Sequence, residues 1–130
     1  MNDTTRRQSI FPSLRYRDPR AALRFLTEAF GFTEEQVHEQ DGQIVHAEMS
    51  YDGDMIGFGT VGVGDPLFDI TPSCVYVAVD DIDAHHARAV AAGAEIVMEP
   101  TDQEYGSRDF AVRDPEGNVW AFGTYRPGPA

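Results

Sequence analysis

The sequence has one cysteine, Cys74, in 130 residues, which excludes an internal disulfide and any zinc site made of cysteine alone. Basic residues are scarce as well: Lys and Arg total 10 against 22 Asp and Glu, a formal charge of −12. A chain of that sign repels nucleic acid, so no nucleic-acid partner is expected. No apolar run approaches the roughly 18 residues that cross a bilayer, and no membrane partner is expected either. The opening MNDTTRRQS lacks the apolar stretch of a secretory signal, which makes cytoplasmic residence the expectation. The Asn2-Asp3-Thr4 sequon then has no secretory context to give it meaning.

Core material is plentiful. The chain is 42% hydrophobic with eight Phe, five Tyr and one Trp among its residues, enough for one packed domain spanning residues 1–130 and too little length for two. The surplus of carboxylates favours cationic small molecules; its plainer reading is a solvated, soluble surface.

The stretch DPRAALRFLTEAFG predicts a helix, with Asp18 as N-cap, Pro19 in the first turn and Gly31 at the exit. Ala22, Phe25, Leu26, Ala29 and Phe30 recur at helical spacing and form the face that should pack on a sheet. IFPSLRYR before it reads as a strand, and FTEEQVHEQ, QIVHAEMSY and DMIGFGT after it read as three more. The pairs Asp41-Gly42 and Asp52-Gly53 between these strands are hairpin turns by composition. From Ser73 the order returns: CVYVAVD as strand, DIDAHHARAVAAG as helix, then EIVME, RDFAVRD and NVWAFGTY, with a turn at Asp114-Pro115-Glu116-Gly117.

The two halves repeat at a near-constant offset: Asp81 follows Asp18 by 63 residues, Gly93 follows Gly31 by 62, and Phe122-Gly123-Thr124 follows Phe58-Gly59-Thr60 by 64. The fold class expected is α+β, with tandem βαβββ modules at 9–60 and 73–125 and a linker at 61–72. With Asp-Pro-Glu-Gly-Asn ahead of the last strand and Phe-Gly closing segments of each half, this pattern resembles the vicinal oxygen chelate superfamily. Glyoxalase I, fosfomycin-inactivating thiol transferases, extradiol dioxygenases and bleomycin resistance proteins belong to it. The resemblance covers residues 9–125 and implies half-barrel modules that pair to enclose a cleft, in small members usually as a homodimer.

The resemblance also implies four ligand positions in the metal-using members, on the first and last strand of each module. Here they fall on Phe11, Gly57, Cys74 and Ala121, which provide one thiol where three or four nitrogen and oxygen donors are needed. No metal or other cofactor is therefore expected. Strand alternation from those positions adds Ser13, Arg15, Met55 and Tyr76 to the expected lining, and Tyr105 and Arg108 are placed to cap the cleft. Trp120 and Phe122 alternate away from Ala121 and are expected in the core.

One alternative stays open. His46 and Glu48, two apart on one strand, share a face and form a candidate displaced divalent-metal or acid–base pair; the plainer reading is a hydrogen-bonded surface pair. Gly57-Phe58-Gly59-Thr60-Val61-Gly62 fits G-x-G-x-x-G, but no helix follows to receive a phosphate, so the glycines read as close strand packing. His85 and His86 point about 100° apart on a helix and are expected at its surface or edge. His38 is expected on an exposed strand, and Cys74 as a small buried thiol.

The function expected is a metal-independent homodimer that binds a small organic ligand, a cationic one being favoured by the charge, in the manner of bleomycin-resistance sequestration. The alternative is a glyoxalase-type lyase, isomerase or dioxygenase using a divalent metal at His46 and Glu48.

Overall fold

The computed structural model describes residues 8–128; the Asn2-Asp3-Thr4 sequon lies outside them. Element order is β1 (Ser13–Tyr16), α1 (Pro19–Phe30), β2 (Thr33–Gln40), β3 (Gln43–Tyr51), β4 (Asp54–Thr60), β5 (Cys74–Ala78), α2 (Ile82–Ala91), β6 (Glu95–Asp102), β7 (Arg108–Arg113) and β8 (Val119–Gly123). The fold is α+β, two four-stranded mixed sheets with one helix each. Their strand orders are β1-β4-β3-β2 and β5-β8-β7-β6. In both sheets the first strand runs parallel to the last and the other neighbours are antiparallel.

The local signals act where expected. Asp18 caps α1 by accepting from the Ala21 N–H at 3.1 Å, and Gly31 ends it in the left-handed conformation. Both residues of the Asp41-Gly42 and Asp52-Gly53 turns have positive φ, the geometry that matches a two-residue hairpin to strand twist. The segment 61–72 contains a single 3₁₀ turn at Pro66–Phe68. The sixth strand runs three residues beyond the EIVME expectation, to Asp102.

One aromatic cluster joins the modules. Phe30, at the end of α1, lies 4.7 Å from Phe122 and 5.4 Å from Trp120 between ring centroids, and all three are fully buried. Trp120 and Phe122 are thus core residues, as their alternation predicts. Polar contacts reinforce the junction. Asp114 accepts from the Tyr16 hydroxyl at 2.6 Å, from the Trp120 indole N–H at 3.1 Å, and from the backbone N–H groups of Glu116 and Asn118. The Glu116 carboxylate accepts the backbone N–H groups of Arg17 and Asp18 at 2.6 and 2.7 Å, ahead of α1. At the other end of α1, the Arg88 guanidinium donates to the carbonyls of Glu28 and Thr27, the second of which also accepts the Gly31 N–H. Among the described residues no helix is long and apolar enough to cross a membrane.

Candidate functional site

Each sheet buries one face in this core and turns the other away from it. On the first sheet the outward face carries Ser13 and Arg15 on β1, paired in register with Gly57 and Gly59 on β4, and Glu48 on β3 opposite Gly57. Absent side chains at the two glycines decide the geometry. A Cβ at Gly57 would come within 3.2 Å of His46 Cε1, so the imidazole lies over that position; a Cβ at Gly59 would collide with the Arg15 guanidinium. His46 Nε2 and Glu48 Oε2 are 2.9 Å apart, and the His38 ring stacks on His46 at 6.3 Å. Arg15 Nε faces Asp69 Oδ1 at 3.3 Å, tying the inter-module segment to this face. The structure thus gathers the expected Ser13, Arg15 and Gly57 with both members of the His46–Glu48 pair. Phe11 precedes β1 and is exposed.

The second sheet presents the corresponding face, with Cys74 and Tyr76 on β5, Ala121 on β8 opposite Tyr76, and Ala111 and Asp109 on β7. Here too a glycine makes room: a Cβ at Gly123 would strike both Asp109 Oδ1 and the Tyr76 hydroxyl. Asp109 is only 8% exposed. One of its oxygens accepts from the Ser107 hydroxyl and the other from the Tyr105 hydroxyl at 3.0 Å. Tyr76 donates to the Tyr125 carbonyl at 2.6 Å, and burial raises its pKa. The hydrogen bond to Asp109 raises that of Tyr105. Asp109 and Ser107 were missing from the sequence-based lining, although a carboxylate alternating with Phe110 and Val112 on one strand was the available signal.

Three expectations need correction. Arg108 does not cap this face: adjacent to Asp109 on β7, it points the opposite way. Its guanidinium donates to Asp83 on α2 and to Asp102 on β6, and those hydrogen bonds hold its pKa above the ordinary arginine value. Cys74 is exposed rather than buried, because it opens the edge strand β5 with outward parity. His85 is tucked between the modules, its ring 4.7 Å from Phe122 and 5.8 Å from Tyr51, with Nε2 buried and unpartnered. Burial, then the charge of Arg88, lowers its pKa from 6.5. His86 bonds Glu99 at 3.0 Å at the helix edge, and His38 is exposed on β2.

The residues present do not fit the metal that the resemblance implies. The four expected positions hold an exposed phenylalanine ahead of β1, a glycine covered by His46, one thiol, and an alanine. His46 and Glu48 provide two donors, and among the described residues no group of three or more His, Cys, Asp or Glu is placed to hold an ion.

Between the modules lies a cavity of about 480 Å³, bordered by Gln8, Met49, Met55, Ile56, Tyr76 and Arg126. The register places Ile56, which borders the cavity, where the second module has the larger Trp120. Met55 and Tyr76, both expected in a binding site, also border it. Arg126 crosses beside it, 3.0 Å from Asp80 and 3.7 Å from Asp52.

Tandem βαβββ modules that each turn a strand face outward define a protein of the paired-module cleft class. The chain belongs to the Glyoxalase/Bleomycin resistance protein/Dioxygenase superfamily, whose family model matches residues 10–122. It is 30% identical over 124 residues to an uncharacterized protein of Mycobacterium tuberculosis strain H37Rv, a match covering 88% of this chain and 73% of that one. Among solved structures it is similar to TioX from Micromonospora sp. ML1, with a TM-score of 0.79 and 30% identity, over 92% of this chain and 99% of that one. Lactoylglutathione lyase from Agrobacterium tumefaciens shares the fold at a TM-score of 0.69 and 20% identity, over 90% and 93% of the two chains.

Proposed function

We propose that this protein binds a small organic molecule without a metal and without altering it, as a homodimer in which copies complete each other's clefts. The observation that carries this reading is the chemistry of the four positions: Phe11, Gly57, Cys74 and Ala121 offer one thiol where a metal enzyme needs three or four nitrogen and oxygen donors.

The strand edges support the dimer. β1 and β5 are edge strands. Val119 N donates to Ser73 O and Val79 N to Gly123 O, so by parallel-ladder alternation Cys74, Tyr76 and Ala78 turn their backbone groups to the open side. Pro12 O and Tyr16 O serve Gly57 and Val61 in the same way, leaving Ser13 and Arg15 facing outward. Open edges are surfaces that another chain completes. Exposed apolar residues accompany them: Ile10 at 86%, and Leu67 and Ile70 each at 70%. Pairing of β1 with a partner's β5 would set the Arg15 face of one copy beside the Tyr76 face of the other.

The charge of −12 favours a cation, and bulky cationic natural-product antibiotics are the first compounds to screen. The test combines metal analysis of natively purified protein, light scattering, and thermal shift against such compounds. Dimers with substoichiometric metal and a saturable rise in Tm are expected. One tightly held ion per chain that is lost in His46→Ala would overturn the reading in favour of a metal enzyme.

A further inference from the structure

On the second sheet's outward face, a buried carboxylate sits among exposed aromatic rings. Asp109 is 8% exposed, while Tyr76, Tyr105 and Tyr125 around it are 40%, 68% and 54% exposed. Buried carboxylates are ordinarily paired with a cation. Asp109 has instead two hydroxyl donors, Ser107 and Tyr105, and among the described residues no Arg or His forms an ion pair with it. The neighbouring Arg108, on the same strand, spends its guanidinium on Asp83 and Asp102 across the sheet.

The surrounding contacts leave this acid with spare acceptor capacity. Two carboxylate oxygens offer about four acceptor sites, and the two hydroxyls fill half of them. Gly123 brings Asp109 and the Tyr76 hydroxyl together over a bare backbone position. The Tyr105 and Tyr125 rings meet edge to face at 6.4 Å. Tyr125 is held by its backbone, with N–H bonded to Ser107 Oγ at 3.1 Å and C=O bonded to Tyr76 at 2.6 Å. Aromatic faces attract cations through the ring quadrupole, and a desolvated carboxylate among them adds a charge that water screens weakly.

We infer that Asp109 is the charge anchor for the cationic group of an organic ligand, an ammonium or amidinium, with Tyr76, Tyr105 and Tyr125 as the aromatic walls around it. This rests on the binding reading above and names the chemistry of that same face. The Tyr105 hydroxyl, exposed and bonded to Oδ2, gives way to the incoming cation, while Ser107 keeps the carboxylate aimed.

Three probes of one shape separate the possibilities: benzyltrimethylammonium, benzyl alcohol and benzoate, titrated into the full-length protein by calorimetry and followed by NMR shifts. The cation is expected to bind most tightly, with shifts at residues 76, 105, 109 and 125. Asp109→Asn should weaken it roughly tenfold or more while leaving the alcohol unchanged. Tyr105→Phe should keep or strengthen cation binding, and Tyr105→Ala should weaken it; these two serve if Asp109→Asn does not fold. Cation binding indifferent to Asp109→Asn and Tyr105→Ala, or equal binding of all three probes, overturns the anchor and leaves the binding function standing. If neither these probes nor the antibiotics bind saturably, both fall.

Discussion

The Tyr16 hydroxyl donates to Asp114 Oδ2 at 2.6 Å, closing 98 residues of sequence with one buried hydrogen bond. The same carboxylate holds the Trp120 indole and the turn that precedes β8. Burial, and the charge it faces, push the Tyr16 pKa far above the ordinary tyrosine value. The phenol therefore remains a donor throughout the working pH range. The Asp-Pro-Glu-Gly-Asn turn is a latch between modules, and its chemistry is structural.

Loss of the latch should be measurable. Tyr16→Phe keeps the ring against Phe58, 5.1 Å away, and removes one donor, so a loss of about 1–2 kcal/mol is expected in urea unfolding. Asp114→Ala strands the Tyr16, Trp120 and Asn118 donors together and should cost more than about 3 kcal/mol. Equal effects of the two substitutions would refute the hub.

Glu116→Ala removes the acceptor for the Arg17 and Asp18 backbone N–H groups. A loss of about 1 kcal/mol is expected, the size of a missing helix cap. Hydrogen exchange checks the location: amides at residues 17, 18, 21 and 22 should lose protection while those of α2 keep theirs.

His85 gives a pH dependence whose sign follows from its burial. Its folded pKa lies below 6.5, so as pH falls through 6.5 the unfolded chain takes up the proton first. Stability present above that pH is then lost progressively towards the lower folded value. Denaturant unfolding of wild type and His85→Gln between about pH 7.5 and about pH 5 isolates this contribution. The wild-type advantage should shrink on acidification; a difference constant with pH would show that His85 does not titrate with unfolding.

Cys74 reports on the edge of β5. Being exposed in the single chain, it should react with a thiol reagent in native protein, and more slowly as protein concentration rises through the dimerisation range. Rates independent of concentration, in a protein that light scattering shows to dimerise, would place the dimer contact elsewhere.

Most of the fold was legible because its signals are local. Asp18, Pro19 and Gly31 delimit one helix within a dozen residues, and the two Asp-Gly turns set hairpin register. Alternation on the strands assigned Ser13, Arg15 and Gly57 to one outward face, and Cys74, Tyr76 and Ala121 to another. Failures came where partners are remote. Arg108 faces Asp83, 25 residues earlier on α2, and the same alternation, carried one strand further, would have turned it from the cleft and put Asp109 in its place. His85 meets Tyr51 and Phe122 because two modules pack there, a contact no helical periodicity encodes. The cavity was hidden for a related reason: the 64-residue offset that aligns Ile56 with Trp120 was visible, but a space between modules appears only when both are packed.

The clasp on α1 runs in one direction along the chain. Beyond its own Asp18 cap, the two backbone N–H groups just ahead of it are met by Glu116 and its C-terminal carbonyls by Arg88. During synthesis on a ribosome, chains emerge N-terminus first, and α1 emerges long before either residue that completes it. Its exposed ends, and the face of Phe30 awaiting Trp120 and Phe122, persist until residues 116–122 have been made. The first half must therefore leave the exit tunnel unfinished, and the stretch from Glu116 to Phe122 sets the moment at which it locks.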